Sequence, residues 1–218
     1  HATEKLAVVH NGIIENFLEL REELSVSGQK FETDTDTEVV VHLIDRYLSD
    51  GLSPRDAVAA VLPKLEGAFA LVMIFAGEHD LMIGARRGSP LAIGYGEGEM
   101  YFGSDALALA PLTQRICYME EGDWSVVTSE GAEIHDAEGA AVERPVVQTA
   151  LSGAMIGKGN YRHFMLKEIY EQPSVIGDTL HSMLNPATQT ITLPPSEIDL
   201  TAVSKVSISA CGTAYYAG

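Results

Sequence analysis

The order of apolar and polar positions divides the chain into a helical first part and a strand-rich second part. An apolar run at residues 6–9 predicts a short strand that ends in a polar turn, His10-Asn11-Gly12. Apolar residues then recur every three or four positions, which predicts helices. The first stops at Gly28, the second starts in a Thr-x-x-Glu capping box, Thr35-Asp36-Thr37-Glu38, and the third starts at Ser53-Pro54.

From residue 67 to about residue 136 the pattern changes to short apolar or alternating runs that are separated by glycines. Such runs are typical of strands joined by tight turns. The predicted strands are residues 68–75, 81–85, 91–95, 100–103, 116–119 and 124–128. Helices followed by a run of strands indicate an α+β domain with a largely antiparallel sheet.

The last third of the chain is organised differently. Residues 148–160 are small and glycine-rich without a period, which predicts a linker or mobile loop and a domain boundary. Helical spacing returns at residues 164–170, and a second helix is predicted to begin at Pro173. Residues 206–213 read as an apolar strand that enters a small-residue turn.

Composition excludes several classes of function. The chain has 218 residues, of which 46% are apolar, and this is enough for a folded core. Fourteen basic residues against 31 acidic ones give a formal net charge of −17, which repels nucleic acid and anionic lipid. No apolar run approaches the roughly 20 residues that a membrane helix needs. We therefore expect a soluble protein without a nucleic-acid or membrane partner.

The cysteines and histidines limit redox chemistry and metal binding. Cys117 and Cys211 are far apart and neither belongs to a C-x-x-C pair, which favours a reducing, cytoplasmic compartment. The seven histidines lack the spacing that places two metal ligands on one face of an element. No metal site is expected.

The segment H-N-G-I-I-E-N, residues 10–16, is the first candidate for chemistry. It places the amide side chain of Asn11 beside Gly12, whose backbone can approach a ligand closely. One side-chain donor and one backbone N–H, held rigidly, can stabilise the negative charge of acyl transfer by roughly 3 kcal/mol per donor. An Asn-Gly turn that only closes a strand has the same sequence pattern.

H-N-G-I-I-E-N resembles the oxyanion motif of N-terminal-nucleophile glutamine amidotransferases. Three further stretches resemble the glucosamine-6-phosphate synthases among these enzymes. Thr35-Asp36-Thr37-Glu38-Val39 is one, and Y-R-H-F-M-L-K-E-I-Y-E-Q-P at residues 161–173 resembles the segment between their glutaminase and isomerase domains. Ala210-Cys211-Gly212-Thr213 resembles the opening of the isomerase domain, so the resemblance covers nearly the whole chain.

The resemblance implies roles for four residues. Asn11 and Gly12 match the oxyanion hole, and Asp36 matches the carboxylate that pairs with the α-ammonium group of glutamine. A carboxylate at a helix start is favoured by the helix dipole, which suits this role but also suits capping alone. Thr213 matches a sugar-phosphate loop, weakly, because Ala214 stands where the family often has serine.

One departure from the family bears on activity. These enzymes use an N-terminal cysteine whose thiol attacks the glutamine amide and whose α-amino group is the base. Residue 1 here is His, and neither cysteine matches that position. Because the chain also begins without an initiator Met or a signal peptide, we expect a cut N-terminus and no activity from this chain alone.

These observations give one hypothesis for the whole chain. Residues 1–150 form an incomplete four-layer αββα N-terminal-nucleophile glutaminase-type domain, residues 151–200 a helical linker, and residues 201–218 the first strand of an α/β sugar isomerase domain. The resemblance implies a homodimeric parent enzyme without metal or organic cofactor. Its small-molecule substrates would be glutamine and fructose 6-phosphate, and its products glucosamine 6-phosphate and glutamate.

Two alternatives stay open. Another type 2 glutamine amidotransferase, such as the phosphoribosyl-pyrophosphate enzyme, shares the oxyanion turn, although residues 161–173 argue against it. A non-catalytic module would keep glutamine recognition without a nucleophile.

Overall fold

The helices and strands of the computed structural model follow the order that the sequence pattern predicts. The structure describes residues 1–150, 157–185, 190–191, 202–210 and 212–218. They form two compact units, His1–Gly157 and Lys158–Gly218.

Three helices open the first unit after its first strand: α1 (Phe17–Val26), α2 (Asp36–Ser49) and α3 (Pro54–Val61), the last followed by a 3-10 turn, Leu62–Lys64. Local chemistry fixes two of the starts. The Thr35 hydroxyl accepts the Thr37 N–H at 3.1 Å before α2, and the Ser53 hydroxyl accepts the Asp56 N–H at 3.2 Å before α3. Both bonds satisfy N–H groups that the helix itself leaves unpaired.

The strands form two antiparallel sheets. They are β1 (Leu6–Ile14), β2 (Gly67–Phe75), β3 (Met82–Arg87), β4 (Ala92–Tyr95), β5 (Met100–Gly103), β6 (Arg115–Tyr118), β7 (Trp124–Thr128), β8 (Gly131–His135), β9 (Ala141–Val142) and β10 (Val146–Gln148). One sheet has the order β1-β2-β3-β7-β8-β9 and the other β10-β6-β4-β5. A short helix, α4 (Ala106–Leu109), follows β5. The sequence pattern predicted neither α4 nor β8 to β10.

The layers of the first unit are helix, sheet, sheet and helix. Helices α1 to α3 cover one face of the six-stranded sheet, and their buried residues share a core with β1 and β2 that includes Leu43, Val58 and Leu71. The other face packs on the four-stranded sheet, where Ile93 and Cys117 are fully buried. Helix α4 packs against the outside of that second sheet. This is the predicted four-layer αββα arrangement.

The first strand departs from the prediction. Residues 10–12 do not form a turn, because β1 continues to Ile14 and pairs with β2 through nine residue pairs, from Leu6 with Phe75 to Ile14 with Gly67. A long antiparallel partner satisfies the backbone groups that an isolated polar tripeptide would bond locally. Asn11 and Gly12 therefore lie within a strand.

The second unit contains α5 (Phe164–Met183), β11 (Leu184–Asn185), β12 (Thr190–Ile191) and α6 (Gly212–Ala217). The predicted break at Pro173 is wrong, since α5 runs through this proline. A proline removes one backbone N–H, and the flanking turns keep their own bonds.

The predicted strand at residues 206–210 is not a strand in the described residues. A strand needs a hydrogen-bonding neighbour, and the sequence pattern cannot supply one. Residues 151–156 of the predicted linker lie outside the described residues.

Candidate functional site

Gly12 is a position that only glycine fits. Its φ is +131°, a backbone conformation that side-chain-bearing residues rarely adopt. A Cβ atom there would lie 2.1 Å from the carbonyl oxygen of Ala68 and 2.8 Å from the Cα of Phe69. Any side chain at position 12 would therefore collide with the backbone of β2.

The backbone groups of β1 alternate between its partner strand and its other edge. The N–H of Val8 bonds the carbonyl of His1 at 2.8 Å, and the N–H of Ile14 bonds the Asp36 carboxylate, so even-numbered residues direct their N–H groups away from β2. Gly12 has the same parity. Its N–H therefore belongs to the row along the strand edge that faces away from β2.

Asn11 lies on the sheet face that is turned toward the second sheet. Its side chain is exposed and lines a shallow cavity of about 170 Å³. Val72, Leu91 and Phe102 give this cavity apolar walls, and Ser104 lies at its margin. An amide at the mouth of an apolar cavity can donate to a ligand oxygen with little competition from other protein groups.

Asp36 is the first residue of α2 and is fastened to the same strand. One carboxylate oxygen, Oδ2, accepts the N–H of Ile14 at 2.8 Å, and the side chain keeps 19% of its surface exposed. The structure therefore brings Asp36 to the segment that holds Asn11 and Gly12. These are the three residues that the resemblance assigned to glutamine.

His10 supports Asp36 from the buried face of β1. Its Nδ1 lies 2.9 Å from the hydroxyl of Thr37 and 3.7 Å from Oδ1 of Asp36, and only 3% of its side chain is exposed. Burial lowers the pKa of His10 and outweighs the Asp36 carboxylate, which raises it. A neutral His10 leaves the charge of Asp36 available to a cationic ligand. His10 is an even-numbered residue of β1, as are the buried residues Leu6 and Val8. The alternation of buried and exposed positions along the strand could therefore have indicated that His10 is buried.

Glu38 lies two residues after Asp36 in the first turn of α2, and its contacts differ from those that the capping box predicts. The predicted capping box would join its carboxylate to the N–H of Thr35. Instead, Oε1 accepts the N–H of Glu32 at 2.7 Å, while Oε2 accepts the N–H of Thr33 at 2.8 Å and its hydroxyl at 2.5 Å. The side chain is 1% exposed. The loop before α2 folds back far enough to reach this carboxylate, which sequence spacing could not show.

These bonds predict acid-sensitive stability. Burial by itself would raise the pKa of Glu38, but the hydrogen bonds from Thr33, Glu32 and His42 outweigh it and lower the pKa from 4.5 to about 2. A lowered pKa stabilises the fold above the unfolded value, and that stabilisation is lost as pH falls from about 4.5 through about 2. In urea unfolding, Glu38→Gln should cost about 3 kcal/mol at pH 7, with a deficit that shrinks toward pH 2. The exposed Glu22→Gln is the control, and a deficit equal at both pH values would contradict the prediction.

Thr213 is the remaining predicted site residue, and Cys117 and Cys211 are the two cysteines of the chain. Thr213 is in α6 of the second unit, whereas Asn11, Gly12 and Asp36 belong to the first unit. Cys117 is buried, and burial together with the Asp123 carboxylate raises the pKa of its thiol, which disfavours the thiolate that a nucleophile needs. Cys211 lies outside the described residues.

Within the part of the chain that the structure describes, no cluster of three acidic, His or Cys side chains could hold a metal ion.

The fold and this site define a class of protein. The sequence matches the family model of the glutamine amidotransferase domain over residues 1–111, and the chain belongs to that family. The solved structure of glutamine phosphoribosylpyrophosphate amidotransferase from B. subtilis, in complex with ADP and GMP, matches 62% of this chain with a TM-score of 0.52 and 30% identity. The two-sheet sandwich between helices is therefore the N-terminal-nucleophile type of α+β fold.

Two curated relatives match the chain over its whole length. Glutamine–fructose-6-phosphate aminotransferase (isomerizing) from Zymomonas mobilis subsp. mobilis is 59% identical over all 218 residues. The protein of the same name from Bradyrhizobium diazoefficiens is 56% identical over the whole chain. The chain spans 36% of the length of each of these relatives. Among the described residues, no helix is long and apolar enough to cross a membrane.

Proposed function

We propose that this chain is part of a glutamine-dependent amidotransferase that converts fructose 6-phosphate and glutamine into glucosamine 6-phosphate and glutamate. One observation supports the glutamine site most directly. The Asp36 carboxylate is bonded to Ile14, two residues beyond Gly12, so an anion and two candidate hydrogen-bond donors share one stretch of strand. The relatives that are named for this reaction are 49–59% identical over the whole chain.

In this proposal glutamine lies along the end of β1. Its α-ammonium group pairs with Asp36, a charge-assisted contact that fixes the polar end of the substrate. Its side-chain carbonyl lies between the Asn11 amide and the Gly12 N–H. These two donors stabilise the oxyanion that forms when a thiolate attacks the amide carbon. The Gly12 N–H does not have to move during the reaction, because the backbone of β1 is held by β2 along its whole length.

The amination of the sugar is the part of the proposal that concerns the second unit. Its support is the identity of the relatives over the whole chain and the resemblance of residues 161–173 and 210–213 to the synthases. Thr213 would contribute to fructose 6-phosphate binding. The parent enzyme would be a cytoplasmic homodimer that uses no metal or organic cofactor.

Among the glutamine amidotransferases, the phosphoribosyl-pyrophosphate enzyme is the alternative to the proposed parent enzyme. A solved member shares the fold, but it is 30% identical over 62% of the chain. The fructose-6-phosphate relatives reach 59% over its full length, which favours the first reading. A non-catalytic glutamine-binding module is the alternative outside the enzymes.

Ammonia release from glutamine tests the proposal. The 218-residue chain is compared with an extended form that begins at the start codon of its gene. Activity in the extended form alone supports the proposal and assigns the nucleophile to residues upstream. Activity in the 218-residue chain would show that the nucleophile lies within it, and silence in both would favour the non-catalytic module.

Removing the charge of Asp36 should weaken glutamine binding. In the extended form we expect Asp36→Asn to raise KM for glutamine by about 10- to 100-fold, because a hydrogen bond to a charged group contributes about 1.5–3 kcal/mol. Asp34→Asn is the matched control, since Asp34 lies two residues earlier, in the loop before α2, and its side chain is fully exposed. An unchanged KM in Asp36→Asn would remove Asp36 from the site.

A further inference from the structure

The loop that leads into α2 is held from three directions. The guanidinium of Arg21 on α1 donates to the carbonyl of Thr33 at 2.7 Å and lies 4.4 Å from the ring centre of Phe31. The ring of Phe31 also meets the ring of His42 on α2, edge to face, with 5.0 Å between the ring centres. Residues 31–33 are thus packed against both helices.

Glu38 provides the third and strongest attachment. Its carboxylate accepts three hydrogen bonds from Glu32 and Thr33, with lengths of 2.5 to 2.8 Å. Nε2 of His42 lies 3.4 Å from Oε1, and the ring of His1 lies 3.8 Å from Oε2. The three bonds from Glu32 and Thr33 span Asp36 and join the first turn of α2 to the loop before it.

Asp36 lies between the residues that these bonds join. The loop residues Glu32 and Thr33 precede it, and Glu38 follows it two residues later. Its carboxylate must reach Ile14 on another element, and a small rotation of the first turn would break that 2.8 Å bond. Backbone groups bonded to a buried carboxylate resist such a rotation, because an unpaired buried carboxylate is costly.

We propose that Glu38 is a positioning residue for glutamine: it locks the loop at residues 32–33 onto α2 and so holds the Asp36 carboxylate at the edge of β1. This inference rests on the proposed function of Asp36. It adds a residue that is itself too buried to touch the substrate. Glu38 acts through Asp36, and its loss should affect glutamine binding more than the chemical step.

Hydrogen exchange on the 218-residue chain tests the geometry without any activity. The Ile14 amide, which is protected by Asp36, should exchange at least tenfold faster in Glu38→Gln, relative to the Met73 amide in the middle of β2. Thr33→Val removes only one of the three bonds and should give a smaller increase in the same direction. It serves as the second variant if Glu38→Gln folds poorly.

Asp80→Asn is the matched control. Asp80 also holds a loop, through the N–H of Ser129 at 2.6 Å and its hydroxyl at 2.9 Å, but it follows the far end of β2. It should leave the ratio of Ile14 to Met73 exchange unchanged. If Glu38→Gln and Thr33→Val had the same ratio of Ile14 to Met73 exchange as the wild-type chain, the proposal would be overturned.

Kinetics of the extended form give the second measurement. Glu38→Gln should raise KM for glutamine about tenfold and change kcat less than about threefold, with Thr33→Val intermediate and Asp80→Asn unchanged. A fall in kcat at constant KM would overturn the positioning role. If the wild-type extended form released no ammonia, the proposed function would fail, and the exchange ratios would still decide whether Glu38 holds Asp36.

Discussion

Replacing Asn11 with alanine should lower kcat for glutamine hydrolysis in the extended form by about 100- to 1,000-fold. The proposed donor acts on charge that develops in the transition state, so KM should change little. The side chain is exposed at the mouth of its cavity, and its removal should hardly alter the free energy of unfolding. Steady-state ammonia release and urea unfolding together check both parts.

Asn16 provides the contrast within the same segment. Its amide donates to the carbonyl of Lys64 at 2.9 Å and accepts the N–H of Glu66 at 3.0 Å, so its role is structural. Asn16→Ala should lower stability by about 1–3 kcal/mol and leave kcat near the wild-type value. A normal kcat in Asn11→Ala would exclude Asn11 from the oxyanion hole.

The second large effect is expected at Gly12. An alanine Cβ would lie 2.1 Å from the Ala68 carbonyl oxygen, and the residue would also have to adopt a φ of +131°. Overpacking of this kind costs about 1–3 kcal/mol and the backbone conformation about 1–2 kcal/mol more. We therefore expect Gly12→Ala to lose about 3 kcal/mol or more of stability in urea unfolding.

Substitution at Gly51 separates the cost of the backbone conformation from the cost of the steric clash. It has a φ of +89° at the end of α2, and a Cβ there would meet no atom within 4 Å. Gly51→Ala should therefore show the backbone cost alone, about 1–2 kcal/mol. If both variants lost the same stability, a clash of the added Cβ with the backbone of β2 would not explain the need for glycine at position 12.

The sequence predicted the elements whose periodicity is local. The apolar stripes of α1 to α3 and the strand runs from residue 67 onward lie where the pattern placed them, because side-chain spacing reports which face an element buries. It also singled out Asn11, Gly12 and Asp36 as candidate residues for glutamine binding, through short stretches whose resemblance to glutamine amidotransferases does not depend on strand pairing. The family match over residues 1–111 confirms that class.

Two elements were misjudged because a single segment does not show its neighbours. Residues 10–12 have the composition of a turn, yet β2 supplies nine pairing residues and draws them into a strand. The apolar residues 206–210 have the composition of a strand, yet no described strand pairs with them. Backbone hydrogen bonds between distant segments decide such cases.

The sequence alone determined the class of the protein and most of its helices and strands. It also singled out Asn11, Gly12 and Asp36 as candidate site residues. What only the tertiary structure decided is how they meet: Asp36 on the Ile14 amide, the neutral His10 beneath it, and Glu38 on the loop behind it. Each of these contacts joins residues that belong to different elements or to opposite sides of a fold in the chain. Their energy depends on burial and on pairing partners, and both exist only once the helices have packed on the sheet.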